Sequence, residues 1–352
     1  MATTIKEVAR KAGVSIATVS RVLNDVGPVD ERTREQVRTV AREMHYFPNA
    51  LGRSLSRRQT EGIGLLLPDL FGEFFSEVIR GADQTAQQNH YHLVVSSSHA
   101  NRAEIEAALH MMRGRVDGLI VMSPNIEAHL LRANLPQSLP VVLLNCVVDG
   151  DDFDSLNVDN DGGAYQMVQH LVSHGHHRVA IIKGSEGNFE AAERLRGYRR
   201  ALEHGGVECD TSLEIQGAFS EASGYDAVRT MLALPSRPTA VFASNDAMAI
   251  GALSGLRDAG MRVPDDMALA GFDDVPIAQY LTPALTSVHV SISDLGVQAI
   301  RRLINAVQEK NAHVRQHSLL TSALALRESC GCTNSPLLTT TEEEPTNTTH
   351  AS

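Results

Sequence analysis

Several polar residues follow directly on short apolar runs, and their types suit hydrogen bonding to a hydroxylated small molecule. Asp69 follows LLLP, Asn145 follows VVLL, Asn245 follows VFAS and Asp273 follows LAGF. Arg194 lies in ERLRGY, Phe219 ends QGAF, and Phe74 and Phe75 stand shortly after Asp69. Carboxylates accept, a guanidinium donates and amides do both, while aromatic rings cover the apolar face of a bound ring. Each residue also has a plainer use. Asn245 can cap the helix DAMAIGAL, Asp273 can brace the turn DDVP, Arg194 can form a surface ion pair, and the phenylalanines can be core.

The runs that precede these residues are strand-sized. GIGLLLPD, HLVVSSS, GLIVMS and PVVLLN are the continuous apolar runs of buried parallel strands, separated by helical stretches such as 73–90 and 101–113. After SLNVDN the alternation restarts with RVAIIKG, LEIQGAF, AVFASND and MALAGFDD. Two such series predict two doubly wound parallel-sheet α/β subdomains. Ligands of such sheets bind at the C-terminal strand ends, so the cleft between the subdomains is the default site.

The first sixty residues are built differently. Ile5, Val8 and Ala9, then Val14, Val19, Val22 and Leu23, have helical spacing interrupted at Ala12-Gly13-Val14. Gly13 supplies a left-handed turn and Ser15 an N-cap, which is the pattern of a helix-turn-helix unit. With Val19, Val22 and Leu23 inward, Ile16, Ala17, Thr18, Ser20 and Arg21 are left to face DNA. Arg21 suits guanine O6 and N7, and Ile16 or Ala17 suits thymine methyls. Ser15, Thr4 and Asn24, at the helix ends, complete the expected contact set. A third helix, about Glu31–Met44, carries Val37, Val40, Ala41 and Met44 on one side and Arg34, Arg38 and Arg42 on another. In YFPNALGRSLSRRQT, Pro48 suits the first turn of a short helix over Asn49–Leu55, too short to be stable alone. Leu51 and Leu55 form an apolar edge able to pry a base step in the minor groove, with Arg53 on phosphate.

Charge follows the same division. Residues 1–60 hold eleven Lys and Arg against six Asp and Glu, a net of +5, whereas the whole chain is −11 and the remainder therefore −16. A basic module facing a polyanion, attached to an acidic body that resists sticking to it, accounts for the asymmetry.

TIKEVARKAGVSIATVSRVLN, followed by VDERTREQVRTVAREMHYFPNALGRSL, closely resembles the lactose/galactose-repressor family of bacterial transcription regulators, and the resemblance extends to about residue 330. It implies a small all-α helix-turn-helix domain plus an α/β core similar to periplasmic sugar-binding proteins. The expected divisions are 1–46 for the headpiece, 47–60 for a hinge helix and linker, and 61–330 for the effector-binding and dimerisation core. The core's chain crosses three times between subdomains, about 61–160 with 291–320 and 161–290 with 321–330. In the family, hinge helices of a dimer enter the minor groove and a leucine, here Leu55, kinks a central step; Gly52 departs from the usual alanine. The positions matching PDxxxxFF, ERLRGY, ASNDAMAIG and GFDD contact effector, and Asn145 stands where some members have aspartate.

These features predict a dimeric, ligand-controlled repressor of a carbohydrate-utilisation operon, cytoplasmic and on the bacterial nucleoid when bound. It would read a pseudo-palindromic operator and release it on binding a small sugar, with no cofactor and no metal. PDLFGEFFSEVIRGA also resembles nucleoside- and purine-responsive members, which keeps a purine effector open. A solute-binding protein is opposed by the basic headpiece and the lack of a signal peptide. For an enzyme, Asp273 and Asp69 would serve as acid and base, but no GxSxG, HExxH or phosphate-loop motif is present. No run approaches the ~18 apolar residues of a membrane helix. Cys146, Cys209, Cys330 and Cys332 make no disulfide framework. His174, His176 and His177 read as surface histidines, and CGC at 330–332 has no second cysteine pair to suggest zinc. The polar, Thr-rich tail 331–352 reads as disordered.

Overall fold

The computed structural model describes residues 3–46, 59–99, 101–123, 126–146, 152–309 and 312–332. The hinge residues Asn49, Arg53 and Leu55, and the tail from 333 onward, lie outside the described residues.

Three helices form the headpiece: α1 (Ile5–Ala12), α2 (Ile16–Leu23) and α3 (Glu31–Glu43). The chain reverses at Gly13, whose φ of 66° suits glycine, and Ser15 Oγ accepts from the Thr18 N–H at 3.0 Å to cap α2. Val8, Ala9, Ala12, Val19, Val22, Val37 and Ala41 are buried together in one core. The arginines of α3 are not a free basic row. Arg34 and Arg38 both donate to the Asp25 carboxylate, at 2.6 and 2.8 Å, and Arg42 donates to Glu35 at 3.0 Å.

The rest of the described chain builds two six-stranded sheets. The first contains β1 (Gly62–Leu67), β2 (His92–Ser97), β3 (Gly118–Val121), β4 (Val141–Leu144), β5 (Asp154–Val158) and β11 (His317–Leu320), in the order β11-β5-β4-β3-β1-β2. The second contains β6 (Val179–Lys183), β7 (Glu214–Gln216), β8 (Ala240–Ala243), β9 (Ala268–Asp273), β10 (Thr286–His289) and β12 (Ala323–Ala325), in the order β12-β10-β9-β8-β6-β7. Pairing is parallel along β1–β3–β4–β5–β11 and β7–β6–β8–β9–β10, and β12 closes the second sheet antiparallel. The chain passes to the second sheet after β5, back after β10, and over again after β11.

Helices α4 (Glu73–Gln88), α5 (Arg102–Met112), α6 (Ala128–Asn134) and α11 (Ile292–Glu309) accompany the first sheet. Helices α7 (Asn160–Ser173), α8 (Phe189–His204), α9 (Glu221–Leu232) and α10 (Asp246–Asp258) accompany the second. Two strands depart from the sequence pattern. HLVVSSS is not a buried run: β2 is an edge strand, with His92 and Val94 exposed. DSLNV carries no apolar-run signal, yet β5 lies inside the first sheet between β4 and β11. Two of its polar side chains are paired there, since Asp154 accepts from the Gln316 N–H at 2.9 Å and Ser155 pairs with His317 at 2.8 Å, while Asn157 Oδ1 has no hydrogen-bond partner among the described residues.

Helices α4 and α11 touch backbone to backbone. A Cβ on Gly81 would stand 2.0 Å from the Ser293 carbonyl oxygen, and one on Gly296 2.2 Å from that of Val78. Gly296→Ala should therefore destabilise the protein by about 1–3 kcal/mol through overpacking. Chemical denaturation of the two proteins checks this; an unchanged midpoint would mean that the helices part at no cost.

Candidate functional site

Arg194 projects from the second turn of α8 and is buried, with 4% of its surface exposed. An isolated charge there would cost several kcal/mol, so its surroundings matter. Nε donates to Asn160 Oδ1 at 2.8 Å, and a terminal nitrogen donates to the Ser244 carbonyl. The guanidinium lies 3.8 Å over the Phe272 ring and 6.0 Å from the Phe219 ring, and its other nitrogen is 3.6 Å from Asp273 Oδ1.

Asp273 ends β9 at φ 111°, outside the conformations that side chains prefer, and is likewise buried. Its Oδ1 has no hydrogen-bond partner among the described residues. Burial pushes the carboxyl up to about 7, Arg194 pulls it back, and Glu190 pushes it further. A buried acceptor beside a guanidinium is the pairing that adjacent hydroxyls satisfy, each donating to one group and accepting from the other.

The remaining second-sheet candidates are engaged with their own backbone. Asn245 caps α10, its Oδ1 accepting from the Met248 N–H at 3.0 Å while Nδ2 donates to the Phe219 carbonyl at 3.2 Å. Phe219, at φ 59°, lays its ring where a Cβ on Gly184 would fall, 2.1 Å from Cζ. From the first sheet, Asn145 at the end of β4 accepts from the Val158 N–H at 2.9 Å and donates to Glu190 Oε1 at 2.7 Å. This bond joins the two subdomains. Burial raises the Glu190 carboxyl, against Arg194 and the Asn145 hydrogen bond, which lower it.

Asp69 is exposed after β1, with Oδ1 accepting from the Leu70 and Phe71 N–H groups at 2.7 and 3.1 Å. Phe74 and Phe75, in the first turn of α4, are half-buried and meet edge to face at 5.5 Å. Glu73, beside them, accepts from the Ile277 N–H at 3.1 Å, a second bond between subdomains. Contacts thus bring Asn145, Arg194, Phe219, Asn245 and Asp273 into one connected group. Asp69, Phe74 and Phe75 stand by themselves on the first-sheet side. Sequence reasoning missed Glu190, which reads as an ordinary acid in a helix first turn, and Asn160 and Phe272, which hold Arg194.

In the headpiece, Ile16, Ala17 and Arg21 are exposed on α2, and Thr18, Ser20 and Asn24 are half-buried. Thr4 donates its N–H and hydroxyl to Glu7 at 2.8 and 3.0 Å, and Ser20 Oγ accepts from Asn24 Nδ2 at 3.2 Å. The exposed guanidinium of Arg21, unlike those of Arg34, Arg38 and Arg42, makes no side-chain hydrogen bond or ion pair among the described residues. It leaves an exposed cation on α2.

Two family models match: bacterial regulatory proteins of the lacI family over residues 4–49, and a periplasmic binding protein-like domain over residues 168–330. The HTH-type transcriptional repressor PurR of Escherichia coli O139:H28 is 37% identical over 311 residues, spanning 87% of this chain and 91% of its own. Among solved structures, the Lac repressor dimer bound to operator and the anti-inducer ONPF superposes with a TM-score of 0.82 at 28% identity, over 94% of this chain and 99% of that one. The transcriptional regulator CelR–cellobiose complex gives 0.70 at 31% identity, over 93% and 99%.

The Asp273 environment sets a stability test. The carboxyl titrates at about 7 in the folded chain against an ordinary value of 3.8. Its preference for the protonated form thus contributes stability that is complete below the ordinary value and lost as pH rises towards the folded one. Relative to Asp273→Asn, the wild type should lose thermal stability as pH rises through that window. A difference between the two that stays constant with pH would mean Asp273 remains ionised in the folded protein.

Proposed function

This chain belongs to the lacI family of bacterial regulatory proteins, ligand-responsive DNA-binding transcriptional repressors rather than enzymes, and we propose that its effector is a small saccharide held at the Arg194–Asp273 pair. The observation that carries this reading is the buried Asp273 Oδ1, without a hydrogen-bond partner among the described residues and 3.6 Å from the guanidinium. A sugar with neighbouring hydroxyls gives that oxygen a donor and the guanidinium an acceptor. Asp69 adds an acceptor, Asn245 and Asn145 add amides, and Phe74, Phe75 and Phe219 cover the apolar ring face. The relative solved with cellobiose is consistent with this class of ligand.

The headpiece reads the operator through α2, with Ile16, Ala17, Thr18, Ser20 and Arg21 at base edges and Thr4, Ser15 and Asn24 on the backbone side. Asn49, Arg53 and Leu55 serve the minor groove. Two copies act together on a pseudo-palindromic site in the cytoplasm, and effector binding lowers operator affinity by linkage. A purine or nucleoside effector is the second reading, favoured by the edge-to-face Phe74–Phe75 pair, which offers ring faces for stacking.

Thermal unfolding of the full chain against mono- and disaccharides, nucleosides and purines distinguishes the two. A ligand at a hundred times its dissociation constant adds about 2.7 kcal/mol of stability. Stabilisation by a saccharide supports the proposal, and stabilisation by a purine alone overturns it. Asp273→Ala should lose the ligand response while retaining operator binding. Arg21→Ala should weaken operator binding by about 1–3 kcal/mol and relax the preference at one base pair. Unaltered discrimination among operator variants would remove Arg21 from base readout.

A further inference from the structure

The fold assembles four soft ligand groups that the sequence keeps far apart. His170 and His174 lie one turn apart at the end of α7, with ring centroids 4.2 Å apart. Cys330 and Cys332 follow β12 and flank Gly331, whose φ of 87° allows so tight a turn. His170 and Cys332 are 162 positions apart in the chain, yet His170 Nε2 and Cys332 Sγ are 3.5 Å apart. His174 Nε2 is 3.7 Å from the same sulfur. The ligand atoms of His170, Cys330 and Cys332 all lie within 4.8 Å of one another.

We propose that His170, His174, Cys330 and Cys332 form a tetrahedral Zn2+ site that ties the end of α7 to the segment after β12. The distances suit the ion: with Zn–S and Zn–N bonds of ordinary length, a tetrahedron has a sulfur-to-nitrogen edge of about 3.5 Å. Orientation suits it as well. His174 Nδ1 donates to the His170 carbonyl at 2.9 Å, which leaves the Nε2 lone pair facing Cys332. Behind Cys330, Thr286 Oγ1 lies 3.1 Å from the sulfur, placed to steady a thiolate. Two thiolates and two imidazoles balance the charge of the ion and leave no open position, so the site is structural. Cys330 is buried, while His174 is exposed and gives the ion a route in.

The test uses the purified, reduced full chain. Metal analysis after desalting should find about one zinc per chain, as one four-ligand site requires. Cobalt(II) replacement should give a thiolate-to-metal charge-transfer band with the intense visible absorption of tetrahedral cobalt. Cys332→Ser should lose that band. His174→Ala should weaken metal binding by more than the 10–100-fold (about) that losing even an outer-shell partner costs. The exposed Cys209, whose Cys209→Ser variant should behave as wild type, serves as control. Cobalt without a thiolate band, zinc content unaffected by Cys332→Ser, or a Cys330–Cys332 disulfide persisting in reductant would each overturn the site.

Discussion

The buried guanidinium of Arg194 is the constraint around which the polar group at the strand ends of the second sheet is arranged. Removing such a charge from water is costly unless its hydrogen-bonding edges are met. Asn160 from α7, the Ser244 carbonyl at the end of β8, and the Phe272 ring of β9 meet three of its faces. Asp273 stands by the fourth at 3.6 Å, close enough for attraction and too far for a hydrogen bond. A group built this way is held where it grips the cation and unsatisfied at Asp273 Oδ1. Asp246 shows the contrast: equally buried, its carboxylate is closed off by Ser287 at 2.6 Å and the Val275 N–H at 2.8 Å. One aspartate braces the turn and the other keeps an oxygen with no donor among the described residues.

Much of this arrangement was legible in the chain and some was not, for physical reasons. The reversal at Gly13, the Ser15 cap and the inward Val19 and Val22 follow from local chemistry, and local chemistry is what a single sequence records. Apolar runs located the strands, and hence the polar residues at their ends. The pattern was silent on β5, where Asp154 and Ser155 are buried by polar pairing beside the core residues Leu156 and Val158. It overstated β2, because an edge strand and an interior one can share a composition. Asn245 and Asn145 read as ligand groups, and the sequence did not show that their amides also hold a helix start and a second subdomain. Glu190 gave no signal at all, since its importance comes from Asn145 and Arg194 rather than from its neighbours in sequence. The same limit hid His170: a ligand set divided between α7 and the residues after β12 has no local spacing to recognise.

Among the described residues, hydrogen bonds that cross between the subdomains include Asn145 to Glu190 and the Ile277 N–H to Glu73. Each contributes about 0.5–1.5 kcal/mol net, with the upper part of the range or beyond for a charged partner. A ligand that rearranges the two halves would work against bonds of this modest strength. Weak contacts of this kind suit a protein whose two arrangements must differ by only a few kcal/mol.

In the headpiece, Asp25 sits at φ 49° and gathers Arg34 and Arg38 on one carboxylate. The net charge of the first sixty residues hides this internal neutralisation. Binding to DNA gains its salt dependence from counterions released at each phosphate that a cation neutralises. Cations already matched by Asp25 or Glu35 release none unless the acid is first displaced. The headpiece thus offers less freely available positive charge to a polyanion than a count of its lysines and arginines implies.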